Sequence, residues 1–202
     1  MEKKLTLTEQ KRINIIAAAQ EEFKEKGFLG ASMDSLAKRA EVSKRTVYNH
    51  FPSKEILFHN IVQQLSDSFS QAINIEYQSN KALDMQLLVV AKNELKLLAS
   101  EKFFDLMRIT FAEFIRSPEF ATNTFESLDQ QESGLNIWIN AAINDGRFKN
   151  VDADYAAQQF IGLIKANALW PQLLMGQDFP SSEQQNTIAN DAVFMFLARY
   201  EI

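Results

Sequence analysis

The sequence predicts an all-α chain, and three observations carry that expectation. Pro and Gly are scarce, 4 and 6 in 202 residues, which leaves little of the turn chemistry that hairpins need. Apolar residues recur at i, i+3, i+4 and i+7 in one stretch after another, and strand-like alternation bounded by turns is absent. The hydrophobic share of 46% is enough for a sizeable core. Nothing repeats at a period of about 20 to 50 residues, so a solenoid is not expected.

Taken in order, the first helix spans about Thr8 to Lys26. Either Thr6 with Glu9, which have the spacing of a capping box, or Thr8 itself supplies the cap, and Gly27 is expected to end the helix as its C′ residue. Ile13, Ile16, Ala17, Gln20 and Phe23 are expected to track the inner face. Ser32 then caps a short helix from about Met33 to Ala40, whose Met33, Leu36, Ala37 and Ala40 share one face. Glu41-Val42 breaks the pattern, and Ser43 caps a second short helix that runs to about His50. Val47 and Phe51 lie on its inner side, and Pro52 stops it. Ser53 caps a long helix from Lys54 to about Gln78, with Leu57, Ile61, Leu65, Phe69 and Ile73 as an i+4 stripe.

Further helices are expected over 79–101, over Phe103 to Arg116 before Ser117-Pro118, and over about Glu119 to Asp145 with a break near Ser133-Gly134. Asp152 opens the next, which Trp170-Pro171 must end or kink. The last runs from about Ser182 to Tyr200, with Ser182 and Gln185 at capping-box spacing.

Composition bounds the function. The net charge of −5 divides unevenly. Residues 1–54 carry 11 Lys and Arg against 7 Asp and Glu, a net of +4, and residues 55–202 carry 10 against 19, a net of −9. The basic excess therefore sits on the segment with the two short helices, as binding to a phosphate backbone requires locally. There is no Cys, which excludes disulfides, thiolate metal sites and a cysteine nucleophile. No apolar run approaches the length of a membrane span, and no apolar leader follows the first residues, so a cytosolic protein is the plain reading. Lys3 and Lys4 belong to a terminal arm expected to fray.

The outer face of the Ser43–Phe51 helix is the chemically informative stretch. Lys44, Arg45, Thr46, Tyr48, Asn49 and His50 are all polar hydrogen-bond donors. Such a face suits phosphates and base edges in a major groove better than it suits a core. A solvated helix face is the plainer alternative, but Tyr and His are unusual on one. A helix of about two turns also needs a partner helix to hold it.

These residues carry a resemblance. Thr46-Val47-Tyr48-Asn49-His50-Phe51-Pro52-Ser53-Lys54-Glu55-x-Leu57, with Gly27-Phe28, Ser32-Met33, Leu36-Ala37 and Ala40-x-Val42-Ser43 upstream, resembles the signature of TetR-type transcriptional regulators. The match is dense from about Glu9 to Leu57 and loose beyond. The turn departs from it, because Glu41 stands where the family usually has Gly. If that position needs φ > 0, Glu41 is strained by about 1 kcal/mol. Asp145-Gly146-Arg147-Phe148, the segment from Asp152 to Phe160, and Trp170-Pro171 resemble the C-terminal domain of the AefR-like repressors.

The resemblance implies an N-terminal three-helix bundle with a helix-turn-helix, residues 1–54, and a C-terminal helical domain for effector binding and dimerisation, residues 55–202. It implies double-stranded operator DNA as partner, with Lys44, Thr46 and Asn49 at base edges and Ser32, Tyr48, His50 and Lys54 at phosphates. Ser43 and Arg45 complete the set. Lys11 and Arg12 are lesser phosphate candidates. It also implies a small-molecule effector. Thirteen of the 16 Phe and both Trp follow residue 54, and polar residues stand among them. A mostly apolar pocket lined by Phe104, Phe111, Trp138, Phe160 and Trp170, with Arg108, Asn140 and Asn167, is expected to take a lipophilic or aromatic effector. Simple core packing is the plainer account of each Phe. On the last helix Ile188, Ala189, Ala192, Val193, Phe196 and Tyr200 make one face, and Phe194, Met195 and Leu197 widen it beyond what one subunit covers. A homodimer through the helices near 152–169 and 182–200 follows.

No catalytic constellation stands out. His50 and His59 are the two histidines, neither with a companion at metal-ligand spacing. Asp152 and Asp154 point to different sides of a helix, and no Gly-rich phosphate loop is present. No cofactor, metal or enzymatic activity is expected. The reading is a TetR-like repressor that responds to a ligand. An activator, a ligand-independent regulator, or a helical small-molecule-binding module without DNA function are the alternatives.

Overall fold

The computed structural model describes residues 5–127 and 134–202. Lys3, Lys4 and the break near Ser133 lie outside these. The described residues are helical, apart from turns and one antiparallel bridge between Phe148 and Glu201. In chain order the helices are α1 (Leu7–Gly30), α2 (Met33–Arg39), α3 (Lys44–His50), α4 (Lys54–Ala72), α5 (Leu83–Leu98), α6 (Glu101–Arg116), α7 (Pro118–Ser127), α8 (Gly134–Asn144), α9 (Ala153–Ala168), α10 (Trp170–Met175) and α11 (Ser182–Tyr200). Contacts divide them into two compact units. One runs to Leu65 and resumes at Asp105; the other holds Ser66–Phe104 and the chain from Gly134 onward. The chain passes from one unit to the other inside α4 and again inside α6.

In the first unit, α1 takes its cap from Thr6. Thr6 accepts from the Glu9 amide at 3.2 Å, and Glu9 accepts from the Thr6 amide at 2.7 Å. Gly27 has φ +69 and breaks the helical backbone, after which the chain makes one more turn to Gly30. The inner face of α1 differs from the sequence expectation. Ile15, Ile16, Ala18, Ala19, Glu22 and Phe23 are buried, whereas Ile13 and Ala17 are exposed. The reason is Glu22, a polar residue at 1% exposure. It accepts from Lys26 at 2.6 Å and from Arg39 of α2 at 3.1 Å. A carboxylate so paired can face inward, so polarity did not mark the outside. Below it Phe23, Phe28, Phe58 and Phe120 form a cluster with ring centroids 5.1 to 5.7 Å apart.

In the second unit, α4 ends at Ala72, not near Gln78. The segment after it is held by Gln86, which is 4% exposed. Gln86 Oε1 accepts from the Gln78 amide at 2.9 Å and from Trp138 Nε1 at 3.0 Å, and its Nε2 donates to the carbonyls of Gln78 at 2.9 Å and Lys81 at 3.1 Å. These tertiary bonds replace the helical ones. Gly134 opens α8 where a Cβ would lie 2.7 Å from the Asn74 backbone, so glycine is required by that close approach. Asp152 caps α9 by accepting from the Tyr155 amide at 3.1 Å, as expected. The break before Trp170-Pro171 falls at Leu169, and α10 begins anew with proline in its first turn. The cap of α11 is Ser181 with Gln184, one residue earlier than the spacing of Ser182 and Gln185 suggested.

The Asp145-to-Phe148 turn ties this unit together. Gly146, at φ +72, receives the chain from α8, and Arg147 Nη1 donates to the carbonyls of Ser79 at 3.1 Å and Lys81 at 2.8 Å. Phe148 is 1% exposed against Trp138, Phe196 and Tyr200. α11 packs on α5 and α9 through Ala189, Ala192, Val193, Phe196 and Tyr200.

Candidate nucleic-acid interface

α3 has seven residues, too short to be stable alone. Its order is imposed from three sides. Ser43 accepts from the Thr46 amide at 3.1 Å, and its hydroxyl pairs with that of Thr46 at 2.8 Å. Val47 at 0% and Phe51 at 2% exposure anchor the inner side. The Arg12 guanidinium of α1 lies 5.2 Å from the centre of the Phe51 ring. With about 100° between successive residues, Arg45 and Asn49 lie about 160° from Val47 and Tyr48 about 100°, with Lys44 and His50 about 60° from it. Arg45, Tyr48 and Asn49 are exposed.

The turn between α2 and α3 explains the Glu41 departure. The Glu41 amide donates to the Lys38 carbonyl at 3.2 Å and the Val42 amide to the Ala37 carbonyl at 3.1 Å. This paired return satisfies the last carbonyls of α2 and requires a left-handed residue at its centre. Glu41 supplies it at φ +54, the one non-glycine at positive φ among the described residues. The α8 end uses the same paired return with Gly146.

α2 is fixed to α1 by Arg39, which reaches Glu22 at 3.1 Å and Glu25 through two bonds of 3.0 and 2.5 Å. The Glu25 carboxyl sits below its ordinary range chiefly because of the Arg39 hydrogen bond. Burial, the largest influence on Glu22, pushes its carboxyl up, but Lys26, the Ser35 hydroxyl and Arg39 together hold it below the usual value.

The remaining expected contacts fall as follows. Ser32 is exposed and caps α2, accepting from the Ser35 amide at 3.1 Å. Lys44 forms an exposed pair with Asp34, of a kind worth about 0 to 1 kcal/mol and easily exchanged for a phosphate. His50 is half-buried beside Phe51. Lys54 is placed differently from a free phosphate ligand. Its Nζ donates to the carbonyls of Phe28 at 2.6 Å and Ala31 at 3.0 Å, approaches that of Leu29 at 3.5 Å, and lies 4.5 Å from the centre of the Phe28 ring. Three carbonyls match the three donors of an ammonium, so the side chain closes the end of α1 onto the start of α4.

The expected effector residues are distributed over both units. Arg108 and Phe111 belong to the first unit and the others to the second. Trp138 and Phe160 are fully buried in the core of the second unit, Trp138 with its N–H on Gln86 and Phe160 against Phe196 at 5.0 Å. Asn140, Asn167 and Trp170 are exposed, as is Arg108; Phe104 is half-buried. The wet side of each asparagine was indistinguishable from the dry side by spacing alone. The buried polar groups of this unit lie elsewhere. Glu94 of α5 is 0% exposed, faces Lys165 of α9 at 3.6 Å, and was not singled out by the sequence. An acid at i+3 and a base 71 positions on carry no local signal.

Two sequence profiles match. Residues 15–61 match that of the bacterial regulatory proteins of the tetR family, and residues 85–202 that of the AefR-like transcriptional repressor C-terminal domain. The chain belongs to the TetR family, with an AefR-like C-terminal domain. This TetR-like chain is a DNA-binding transcriptional regulator. It is similar over its whole length to a TetR family transcriptional regulator from Pseudomonas syringae pv. tomato str. DC3000, at 41% identity and a TM-score of 0.84, covering 97% of this chain and 100% of that one. The flavonoid-responsive regulator FrrA is 28% identical with a TM-score of 0.76, covering 95% and 97%. YhgD of Bacillus subtilis, an HTH-type transcriptional regulator, is 28% identical over 133 residues, which span 65% of this chain and 66% of that protein. No helix among the described residues is long and apolar enough to cross a membrane.

Proposed function

We propose that this TetR-like regulator is a ligand-responsive repressor that binds a palindromic operator as a dimer. The observation that carries the DNA reading is the outward set Arg45, Tyr48 and Asn49 on a short helix whose own residues cannot hold it. α1 and α2 are spent on presenting it. Lys44, Thr46 and Asn49 approach base edges, with Arg45 beside them. Ser32, Ser43, Tyr48 and His50 meet phosphates, and Lys54 orients α3 and α4 from within. The AefR-like repressor profile supports the sense of regulation. Functionally, residues 1–54 are the reader and 55–202 the effector and dimer part, with α4 passing between them.

The dimer face is formed by α9 and α11. Phe194 and Met195 are 74% and 52% exposed on a helix whose other side is already buried, and a second copy is the partner that symmetry offers. An effector changes the separation of the two α3 helices by favouring one arrangement of α4. The responsiveness of FrrA to flavonoids supports an aromatic effector here.

Fluorescence anisotropy on DNA from upstream of the chain's own gene, beside a scrambled duplex and across a salt series, tests the reading. A marked preference for the genuine sequence is the expected result. Equal binding to both duplexes, lost at physiological salt, would leave only a basic patch.

A further inference from the structure

Glu94 is a carboxylate at 0% exposure, and neither of its oxygens has a hydrogen-bond partner. The only charged group facing it among the described contacts is Lys165, at 3.6 Å and 22% side-chain exposure. That distance balances charge but does not fill the acceptor sites of the carboxylate, of which there are about four. Beyond Lys165 lies an aromatic wall. Its ammonium is 4.0 Å from the centre of the Phe69 ring, and Phe69 meets Phe103 edge-on at 4.8 Å. The order Glu94, Lys165, Phe69, Phe103 thus runs from an unfilled acceptor to an apolar surface, with residues from α5, α9, α4 and the chain at the start of α6. Burial pushes the Glu94 carboxyl up and the Lys165 ammonium down, which agrees with a pair that lacks full solvation. A buried ion pair is not a strong source of stability and can often be replaced by apolar residues without loss.

We propose that Glu94 and Lys165 are the polar end of the effector site and take a neutral aromatic ligand that carries a hydroxyl donor. This rests on the effector reading above. Charge selects the class. A cationic ligand would leave Lys165 unbalanced, and an anion would meet Glu94. A neutral hydroxyl supplies the donor that Glu94 lacks and leaves the pair neutral. Its ring then lies with the ammonium and Phe69. Lys165, on a long flexible stem that reaches the surface, is the group that gives way on entry.

The test uses phenol and its methyl ether, anisole, titrated calorimetrically into the full chain. Phenol is expected to bind about tenfold more tightly than anisole, the worth of one buried hydrogen bond. In the double variant Glu94→Leu/Lys165→Met that ratio falls to about one, while Tm stays at or above the wild-type value and operator binding without phenol is unchanged. A pair that takes no ligand leaves the ratio untouched in this variant, whatever its Tm. Glu94→Gln, which keeps shape and volume, retains part of the preference. Equal binding of phenol and anisole to wild type, no binding of either, or a ratio unchanged in the double variant overturns the proposal. Operator affinity with and without phenol separates the two readings. A Glu94-dependent ratio with constant operator affinity keeps the site and rejects its role as an effector site.

Discussion

Glu41 is where one residue's conformation sets a local cost. Its φ of +54 is demanded by the paired bonds that close α2, and a side chain there loses about 1 to 2 kcal/mol relative to glycine before the unfolded-state entropy of glycine is counted. Glu41→Gly is therefore expected to stabilise the chain by up to about 1 kcal/mol, a rise in Tm of roughly 2 to 4 °C at this size. A fall in Tm by differential scanning calorimetry would show that the Glu41 side chain contributes something the backbone does not reveal. Glu22 is the opposite case. Its folded-state carboxyl sits below the ordinary range, so its contribution is present above the unfolded value near about 4.3 and is lost as pH falls through the lower folded value. Glu22→Gln leaves Arg39 and Lys26 with a poorer acceptor. It should cost about 1 to 3 kcal/mol at neutral pH, with the gap to wild type narrowing on acidification. Urea unfolding at a series of pH values checks this, and a gap that stays constant down to acid would contradict it.

Among the elements, those set by local chemistry were legible in the sequence, and those set by distant contacts were not. Asp152 caps α9 because its own side chain reaches three residues on, and Thr6 with Glu9 does the same for α1. Leu169 breaks the helix because proline follows two positions later. By contrast, α4 stops at Ala72 and the Gln78 backbone beyond it bonds to Gln86 of α5 instead, and nothing near Ala72 announces that. The face of α1 was misplaced for the same reason, since Glu22 is made fit for burial by Arg39. For the site, the outward residues of α3 were legible from one helix turn, while the real position of Lys54 depended on the carbonyls of Phe28 and Ala31. That difference is measurable. Tyr48→Ala is expected to weaken operator binding with little change in Tm or in the salt slope, because a neutral hydroxyl releases no counterion. Lys54→Ala should lower Tm and operator affinity together and leave the salt slope as it was. If Lys54→Ala flattens the slope at constant Tm, the ammonium is a phosphate ligand after all.

For the molecule as a whole, the distribution of charge and apolar surface has one consistent reading. The +4 of residues 1–54 and the −9 of the remainder keep attraction to DNA on the segment that bears α3 and away from the larger part. The exposed apolar residues on α11, Phe194 and Met195, bear no such charge and ask for a partner of like kind. Since both are exposed in the single chain, Phe194→Glu and Met195→Glu should leave its Tm at low concentration nearly unchanged, within about 0.5 kcal/mol. In a two-fold interface each position occurs twice, once from each copy, so placing carboxylates there sets like charges against each other in a desolvated seam. Each substitution should then weaken self-association by about 1 to 3 kcal/mol per interface, about fivefold or more. Sedimentation equilibrium measures the shift, and operator affinity on a palindromic duplex should fall in parallel, because two linked α3 helices gain from each other's binding. A half-site duplex should show no such fall. Variants that stay dimeric and bind the palindrome as wild type does would move the interface off α11.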